Sequence, residues 1–213
     1  MTATQRPLIE LDGFRLSGHV HRVRLMLSLL GLPFREHEID LPKGEHKQPE
    51  FLARNVFGQV PVLRDGDLQL ADSNAICVYL AGTYDASRRW WPTEPLAQAQ
   101  VQRWLSAAAG PLAFGPSIVR AARLFKRPLE ASPTAVAERL FKTMEAHLEG
   151  RDWLALDHAT LADVVMYTYT AHAPEGGLWL DDYPRIRAWL ARVEALPGFV
   201  GMTRSPLPER AAA

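Results

Sequence analysis

The chain has 213 residues, 47% of them hydrophobic, which is enough to bury the core of one large domain or two small ones. Its 24 Lys and Arg residues equal its 24 Asp and Glu residues, which argues against nucleic acid or an acidic membrane surface as a partner. The single cysteine, Cys77, excludes an intrachain disulfide and fits a reducing compartment. Residues 1–7 lack the apolar region of a signal peptide, and no apolar run is long enough to span a bilayer. We therefore expect a cytoplasmic protein.

The first part of the chain, residues 1–85, alternates between strand and helix patterns. The predicted elements are, in order, a strand at 8–11, a helix from Val20 that ends at the cap residue Gly31, a strand at 34–39, an antiparallel pair of strands at 60–63 and 68–70, and a helix over 73–84. The hairpin turn is indicated by Asp65-Gly66-Asp67. This order, βαβ followed by ββα, predicts a thioredoxin-like α/β domain.

The second part of the chain, residues 96–213, shows helical patterns without a convincing strand. Helices are predicted over residues 97–109, 117–125, 134–148, 161–172 and 184–196. Thr160 and Asp163 form a capping box before the fourth of these helices. Residues 86–95 break both periodicities and are interpreted as a linker, in which Trp90 and Trp91 are expected to pack the two domains together. An all-helical second domain follows.

Two local patterns in the first domain indicate a binding site for a peptide-like anion. Pro61 lies between Val60 and Val62 in a predicted strand, and an X-Pro bond held cis there would turn the backbone of Val60 outward for pairing. Asp72 and Ser73 directly precede an apolar helix, whose free N–H groups and partial positive charge attract a carboxylate. A strand edge beside an anion site suits a short acidic peptide.

Several sequence runs resemble the cytosolic glutathione S-transferase superfamily. They are G-E-H-K at 44–47, N-V-F-G-Q-V-P-V-L at 55–63, D-S-N-A-I at 72–76, S-G-H-V-H-R-V-R at 17–24, T-L-A-D-V at 160–164, and residues 183–199. The likeness is to serine-type classes, with features of the phi, theta and zeta classes. The resemblance implies a thioredoxin-like first domain, a helical second domain, and attack by the glutathione thiolate on a small hydrophobic electrophile.

By this resemblance the catalytic residue is Ser17, placed directly before the first helix. Lowering a thiol pKa by about two units from 8.5 requires about 2.7 kcal/mol of thiolate stabilisation. A hydrogen bond from Ser17 contributes roughly 1.5–3 kcal/mol and the positive helix end roughly 0.3–1 kcal/mol. The alternative is that Ser17 only caps the helix. His19 and His21 are expected to be solvated residues at the helix start.

The resemblance also implies the glutathione ligands. His46 and Lys47 are expected to bind the glycine carboxylate. Gln59, Val60 and Pro61 are expected to contact the cysteinyl part, and Asp72 and Ser73 the γ-glutamyl end. The alternatives are a solvated loop for the first pair and a helix cap for the last. No metal is expected. Cys77 lies on an apolar helix and is expected to be a small core residue.

The acceptor pocket leaves no spacing signature, because hydrophobic pockets have none. We expect Phe14, Leu16, Trp104, Phe114 and Ile118 to line it. Relatives of this fold are two-fold dimers, and Phe51 or Phe57 is expected to anchor the contact, the alternative being that both pack within their own domain. Two other hypotheses stay open: a glutathione-dependent reductase, peroxidase or isomerase using the same site, or a non-catalytic binding protein.

Overall fold

The computed structural model describes residues 8–210, so the prediction for residues 1–7 lies outside the described part. The strands are β1 (Ile9–Gly13), β2 (Phe34–Glu38), β3 (Val62–Asp65) and β4 (Leu68–Ala71). They form one sheet in the order β2-β1-β3-β4. β1 pairs with β2 in parallel, with Ile9 opposite Phe34, and with β3 in antiparallel, with Leu11 opposite Leu63. The predicted thioredoxin-like arrangement is therefore confirmed.

The helices of the first part are α1 (Gly18–Leu29), α2 (Pro49–Leu52) and α3 (Ser73–Tyr84). Neither α2 nor the 3-10 turn Glu45–Lys47 before it is predicted from the sequence, because elements of three or four residues are too short to show a period. The Val60–Pro61 peptide bond is cis, as predicted. Both α1 and α3 begin at the end of the sheet where β3 starts. Two helix N-termini therefore lie beside the cis peptide bond.

The second part of the chain is helical. Its helices are α4 (Pro95–Ala109), α5 (Ile118–Leu124), α6 (Ala131–His147), α7 (Leu161–Ala171) and α8 (Pro184–Glu194). A π-helical turn, Ala113–Ser117, joins α4 to α5 and contains Pro116, which cannot donate a backbone hydrogen bond. Thr160 and Asp163 form the predicted capping box at the start of α7. Within residues 8–210, no helix is long and apolar enough to cross a membrane.

The two parts share one continuous hydrophobic core. α7 is buried along its whole length and packs against both α1 and α4. Trp90 is 8% exposed, and its carbonyl oxygen accepts from the N–H of Leu161 at 3.0 Å, which agrees with the predicted packing role. The segment between α3 and α4, residues 85–94, has no helix or strand, and α4 begins at Pro95, the last residue of the predicted linker. Through this shared core the helical part packs against α1.

Candidate active site

A cleft of about 760 Å³ lies between the start of α1 and the end of the sheet that carries the cis peptide bond. It is lined by every residue that the sequence analysis assigned to catalysis or glutathione binding: Ser17, His46, Lys47, Gln59, Val60, Pro61, Asp72 and Ser73. Residues that the sequence analysis did not assign also line it: His19, Leu41, Pro42, Asn55, Phe57, Gly58, Ala71, Phe125 and Arg127. Side chains separated by more than a hundred positions in sequence therefore face one space.

Ser17 stands at the end of this cleft as the N-cap of α1. Its backbone is extended, and its N–H donates to the carbonyl oxygen of Phe14 at 2.8 Å, so a tight turn from β1 presents the side chain. The Ser17 hydroxyl oxygen accepts weakly from the N–H of Val20 at 3.4 Å, which leaves the hydroxyl hydrogen available. Capping the helix and donating to a bound anion are therefore compatible roles for this one side chain.

His19 lies in the first turn of α1, and Arg22 lies one turn further along the helix. Arg22 is 1% exposed, and its Nη1 donates to the hydroxyl oxygen of Ser73 at 2.8 Å and to Oδ1 of Asn74 at 2.9 Å. Its Nε and Nη2 have no hydrogen-bond partner among the described residues. Burial, and next the positive charge of Arg22, lower the pKa of His19 to about 3. The expectation of a solvated His19 is wrong, because its half-buried imidazole packs against Ser73 of α3 and Tyr169 of α7, while one side of it faces the cleft.

The prediction for His21 is also wrong. This side chain is fully buried, with Nδ1 2.8 Å from Oγ1 of Thr168 and Nε2 2.8 Å from the carbonyl oxygen of Val200. Burial, partly opposed by the bond to Val200, lowers the pKa of His21 to about 3. His21 does not line the cleft. Its two hydrogen bonds link α1 to α7 and to the segment after α8.

A rigid loop carries the cis peptide into the cleft. The side-chain amide of Asn55 donates to the carbonyl oxygen of Gln59 at 2.8 Å, and Lys47 Nζ donates to that of Gly58 at 2.9 Å. Gly58 has a φ of +56°, and a Cβ there would lie 2.8 Å from the carbonyl oxygen of His46. Only glycine fits this position without displacing the backbone. The backbone of Val60 is thereby held at the end of the sheet, directly before β3, which is a central strand and not the edge strand that Pro61 had suggested.

The helix α3 begins at the opposite wall of the cleft. Asp72 caps it, with Oδ1 accepting from the N–H groups of Asn74 and Ala75, both at 2.9 Å. Its backbone has a φ of +73°, in the left-handed region that non-glycine residues rarely adopt. Ser73 is 4% exposed, and its hydroxyl already accepts from Arg22. The positive helix end and the nearby Arg22 guanidinium make this wall attractive to a carboxylate.

His46 and Lys47 form the wall near the 3-10 turn. The pKa of His46 is lowered by burial and next by the charge of Lys47, so the imidazole is neutral near pH 7. Its Nδ1 is buried and has no hydrogen-bond partner among the described residues. The Lys47 ammonium is anchored to the loop through the carbonyl oxygen of Gly58. The pair therefore offers one cation and one uncommitted polar ring to a ligand.

The residues predicted for the acceptor pocket do not line the cleft. Phe14 is buried against Phe125, with ring centroids 6.4 Å apart, and Trp104 lines a separate groove between α4 and α6. Phe114 and Ile118 are 62% and 38% exposed, because the π-helical turn orients this part of the chain towards solvent. Leu16 lies outside the lining as well. On this side the cleft is bounded by Phe125, whose ring stacks under the guanidinium of Arg127 at 5.2 Å.

Cys77 is the core residue that the sequence predicts. Its side chain is fully buried on α3, and burial, partly opposed by Arg22, raises the pKa of the thiol to about 12. A neutral, enclosed thiol is a poor nucleophile. Among the described residues, no group of three or more His, Cys, Asp or Glu side chains is arranged to hold a metal ion.

The comparisons with known proteins agree with this architecture. Residues 16–83 match the family model described as glutathione S-transferase, N-terminal domain, and residues 120–197 match that of the C-terminal domain. Glutathione S-transferase 3 of Zea mays is 34% identical, over 94% of this chain and 96% of its own.

Two solved structures extend the agreement to three dimensions. The glutathione S-transferase of Pseudomonas fluorescens has a TM-score of 0.86 and 32% identity, over 92% of this chain and 99% of its own. A glutathione transferase homologue from Drosophila mojavensis, solved with bound glutathione, has a TM-score of 0.81 and 25% identity, over 91% and 90% of the two chains. The chain belongs to the glutathione S-transferase family, which confirms the resemblance. It is a transferase with glutathione as its co-substrate.

Proposed function

We propose that the cleft binds glutathione with its sulfur beside Ser17 and that Ser17 stabilises the thiolate for attack on an electrophile. The observation that supports this most is the position of Ser17. Its hydroxyl hydrogen is uncommitted, it faces the cleft, and it stands at the positive end of a twelve-residue helix. Two modest effects, a hydrogen bond to a charged sulfur and a helix dipole, act on the same atom.

The ends of the tripeptide have complementary partners at the two walls. The γ-glutamyl carboxylate fits the N-terminus of α3 at Ser73, with the Asp72 carboxylate near the ammonium group. The glycine carboxylate fits the wall of His46 and Lys47. The cysteinyl backbone pairs with the N–H and C=O of Val60, next to Gln59 and the cis Pro61, in the manner of an added strand. That the Drosophila mojavensis homologue was solved with bound glutathione supports binding of the tripeptide by this fold.

The reaction that follows requires no base from the protein. The thiol loses its proton to water, and the sulfur lone pair attacks the electrophilic carbon to give a thioether. With an aryl halide the halide departs with its bonding electron pair. With an epoxide or an α,β-unsaturated carbonyl compound the displaced electron pair goes to oxygen, and the product takes up a proton from water. Phe125 and Arg127 bound the acceptor side, so a partly aromatic electrophile suits the cleft better than a purely aliphatic one. Ser17 contributes by holding charge on sulfur in the transition state.

The proposal is tested by a calorimetric titration with glutathione together with a panel of acceptors. The panel contains an aryl halide, an epoxide, an α,β-unsaturated carbonyl compound, an organic hydroperoxide and a disulfide. S-methylglutathione is the matched control, because it fills the cleft but has no thiol. Thioether formation with one of the first three acceptors supports the transferase. Turnover of only the hydroperoxide or the disulfide would instead identify a peroxidase or reductase, and binding without turnover a non-catalytic protein.

We also propose that the protein is a cytoplasmic homodimer. Phe57 and Val56 project from the cleft loop with 75% and 80% exposure, whereas Phe51 is buried within its own domain at 2%. An apolar groove of about 460 Å³ lies between α4 and α6, bounded by Trp104 and Leu140. In a two-fold dimer, Val56 and Phe57 of each copy would lie in the groove between α4 and α6 of the other copy. The same contact would therefore form twice. The indole N–H of Trp104 is buried there, and no group within residues 8–210 accepts a hydrogen bond from it.

A further inference from the structure

We propose that His19, as a neutral imidazole with its proton on Nε2, is a second hydrogen-bond donor to the sulfur of bound glutathione, beside Ser17. This inference rests on the proposed function, since it assigns a role in the same cleft. His19 lies two residues after Ser17 in the first turn of α1, and both side chains line the cleft. The family motifs in the sequence do not assign it a role.

The neighbours of Nδ1 determine the tautomer. Nδ1 of His19 lies 3.4 Å from Nη1 of Arg22 and 3.3 Å from the hydroxyl oxygen of Ser73. A guanidinium has only donors, and the Ser73 hydroxyl already accepts from Arg22, so its own hydrogen is available for the imidazole. Both neighbours are satisfied only when Nδ1 accepts. The proton of the neutral ring therefore lies on Nε2.

Nε2 is left free for a ligand. Within residues 8–210, no protein group hydrogen bonds to it, although Nδ1 has two polar neighbours. The ring is held by Tyr169 of α7, which contacts it edge-on at a centroid distance of 5.0 Å. Tyr169 approaches so closely that a Cβ on Gly18 would lie 2.6 Å from its ring. Glycine at position 18 thus lets the second domain hold the imidazole in place.

The charges around His19 keep it a donor and prevent it from acting as a base. The charged group that acts on the His19 ring is Arg22 on its own helix, and Tyr169 of α7 contacts the ring. Asp72, Cys77 and Tyr169 act in turn on Arg22. Arg22 is buried without a carboxylate hydrogen bonded to it, and its charge adds to burial in opposing protonation of the ring. The imidazole therefore accepts no proton from the thiol, which ionises to water. What His19 supplies is an N–H directed towards negative charge on sulfur.

The test follows the ultraviolet absorbance of the bound thiolate against pH in the full-length protein. His19→Ala is expected to raise the pKa of bound glutathione by about one unit and to lower conjugation at pH 6.5 roughly tenfold, because one unit is a tenfold change. His19→Gln, which retains a neutral donor, is expected to recover part of both effects. His158→Ala, at a histidine outside the cleft, is the matched control and should superimpose on the wild type.

Two further measurements keep the outcomes separate. Calorimetric affinity for glutathione at pH 6 is expected to change less than threefold in His19→Ala, because the thiol form needs no donor. In nitrogen-15 spectra of the histidines, the His19 ring should remain the Nε2–H tautomer from pH 5 to pH 9. Superimposed thiolate curves for wild type and both His19 variants, or an Nδ1–H tautomer, would overturn the inference while the proposed function stands. A wild type that binds no glutathione would overturn both.

Discussion

Nη1 of Arg120, in the helical second domain, donates to the carbonyl oxygen of Leu16 at 2.9 Å, so α5 holds the residue immediately before Ser17. Arg120 is 3% exposed, and its Nε donates to Oε2 of Glu175 at 2.7 Å. Oε1 of Glu175 in turn lies 2.6 Å from Nδ1 of His172. A buried Arg–Glu–His chain thus connects the second domain to the turn that presents Ser17.

We expect Arg120→Met to destabilise the protein by about 3–5 kcal/mol, because it leaves the carboxylate of Glu175 buried and without its cation. Urea unfolding measures the loss. The double variant Arg120→Met/Glu175→Leu should recover most of it, since the uncompensated charge is removed as well. A double variant as unstable as the single one would show that the ion pair is not the origin of the loss.

The stability of the protein should depend on pH through Glu175. Burial alone would raise the pKa of this carboxyl, but the hydrogen bond from His172 and the charge of Arg120 together lower it to about 2. Because the folded-state pKa lies below the unfolded value of 4.5, the contribution is full above about pH 4.5 and is lost as pH falls towards 2. In denaturant midpoints measured across this window, Glu175→Gln should give a flatter profile than the wild type.

Ser17→Ala should raise the pKa of bound glutathione by about one to two units, equal to 1.4–2.7 kcal/mol, with little loss of affinity. Conjugation at neutral pH should fall roughly ten- to a hundredfold and recover in part at high pH, where the thiol ionises unaided. Ser17→Thr, which retains the hydroxyl and the cap, is the control. If Ser17→Ala loses only about 1 kcal/mol of folding stability and its pH profile is unchanged, Ser17 is a cap alone.

Asp72→Ala combined with Ser73→Ala should weaken glutathione binding tenfold or more, because charge-assisted contacts contribute roughly 1.5–3 kcal/mol each. Asp72 also caps α3, so some stability is lost in the same variant. Glu94→Ala controls for that loss, since the Glu94 side chain caps α4 through Leu96 and Ala97 outside the cleft. Calorimetry on the three proteins separates the effects. If the double variant binds glutathione as tightly as the wild type, the γ-glutamyl end binds elsewhere.

Phe57→Ser should convert the proposed dimer into a monomer at micromolar concentration, because the exposed ring is the apolar group best placed to fill a groove. Leu207→Ser is the matched control, since Leu207 is 60% exposed but lies outside both the cleft loop and the groove. Light scattering measures both. A monomeric wild type would refute the dimer, and a dimeric Phe57→Ser variant would refute the anchor.

Much of the fold, and the convergence of the residues proposed to bind glutathione on one cleft, was predictable because the signals are local. The hairpin at Asp65-Gly66-Asp67, the capping box of Thr160 and Asp163, and the cis bond before Pro61 depend on backbone preferences of neighbouring residues. The positions proposed for the glycine and γ-glutamyl ends lie within one stretch, residues 46–73, which a short sequence motif can specify. The helix α2 was not predicted because its four residues are too few to show a helical repeat of apolar positions.

The sequence by itself determined the two kinds of domain, the order of the strands and the backbone of the glutathione side. Only the tertiary structure decided the acceptor side and the burial of the histidines. Phe125 reaches the cleft by packing on Phe14, and the enclosure of His19 requires Tyr169 to pass over Gly18. Such contacts join residues over a hundred positions apart. They arise from packing that any apolar or aromatic side chain of suitable shape can provide, so they leave no spacing in the sequence.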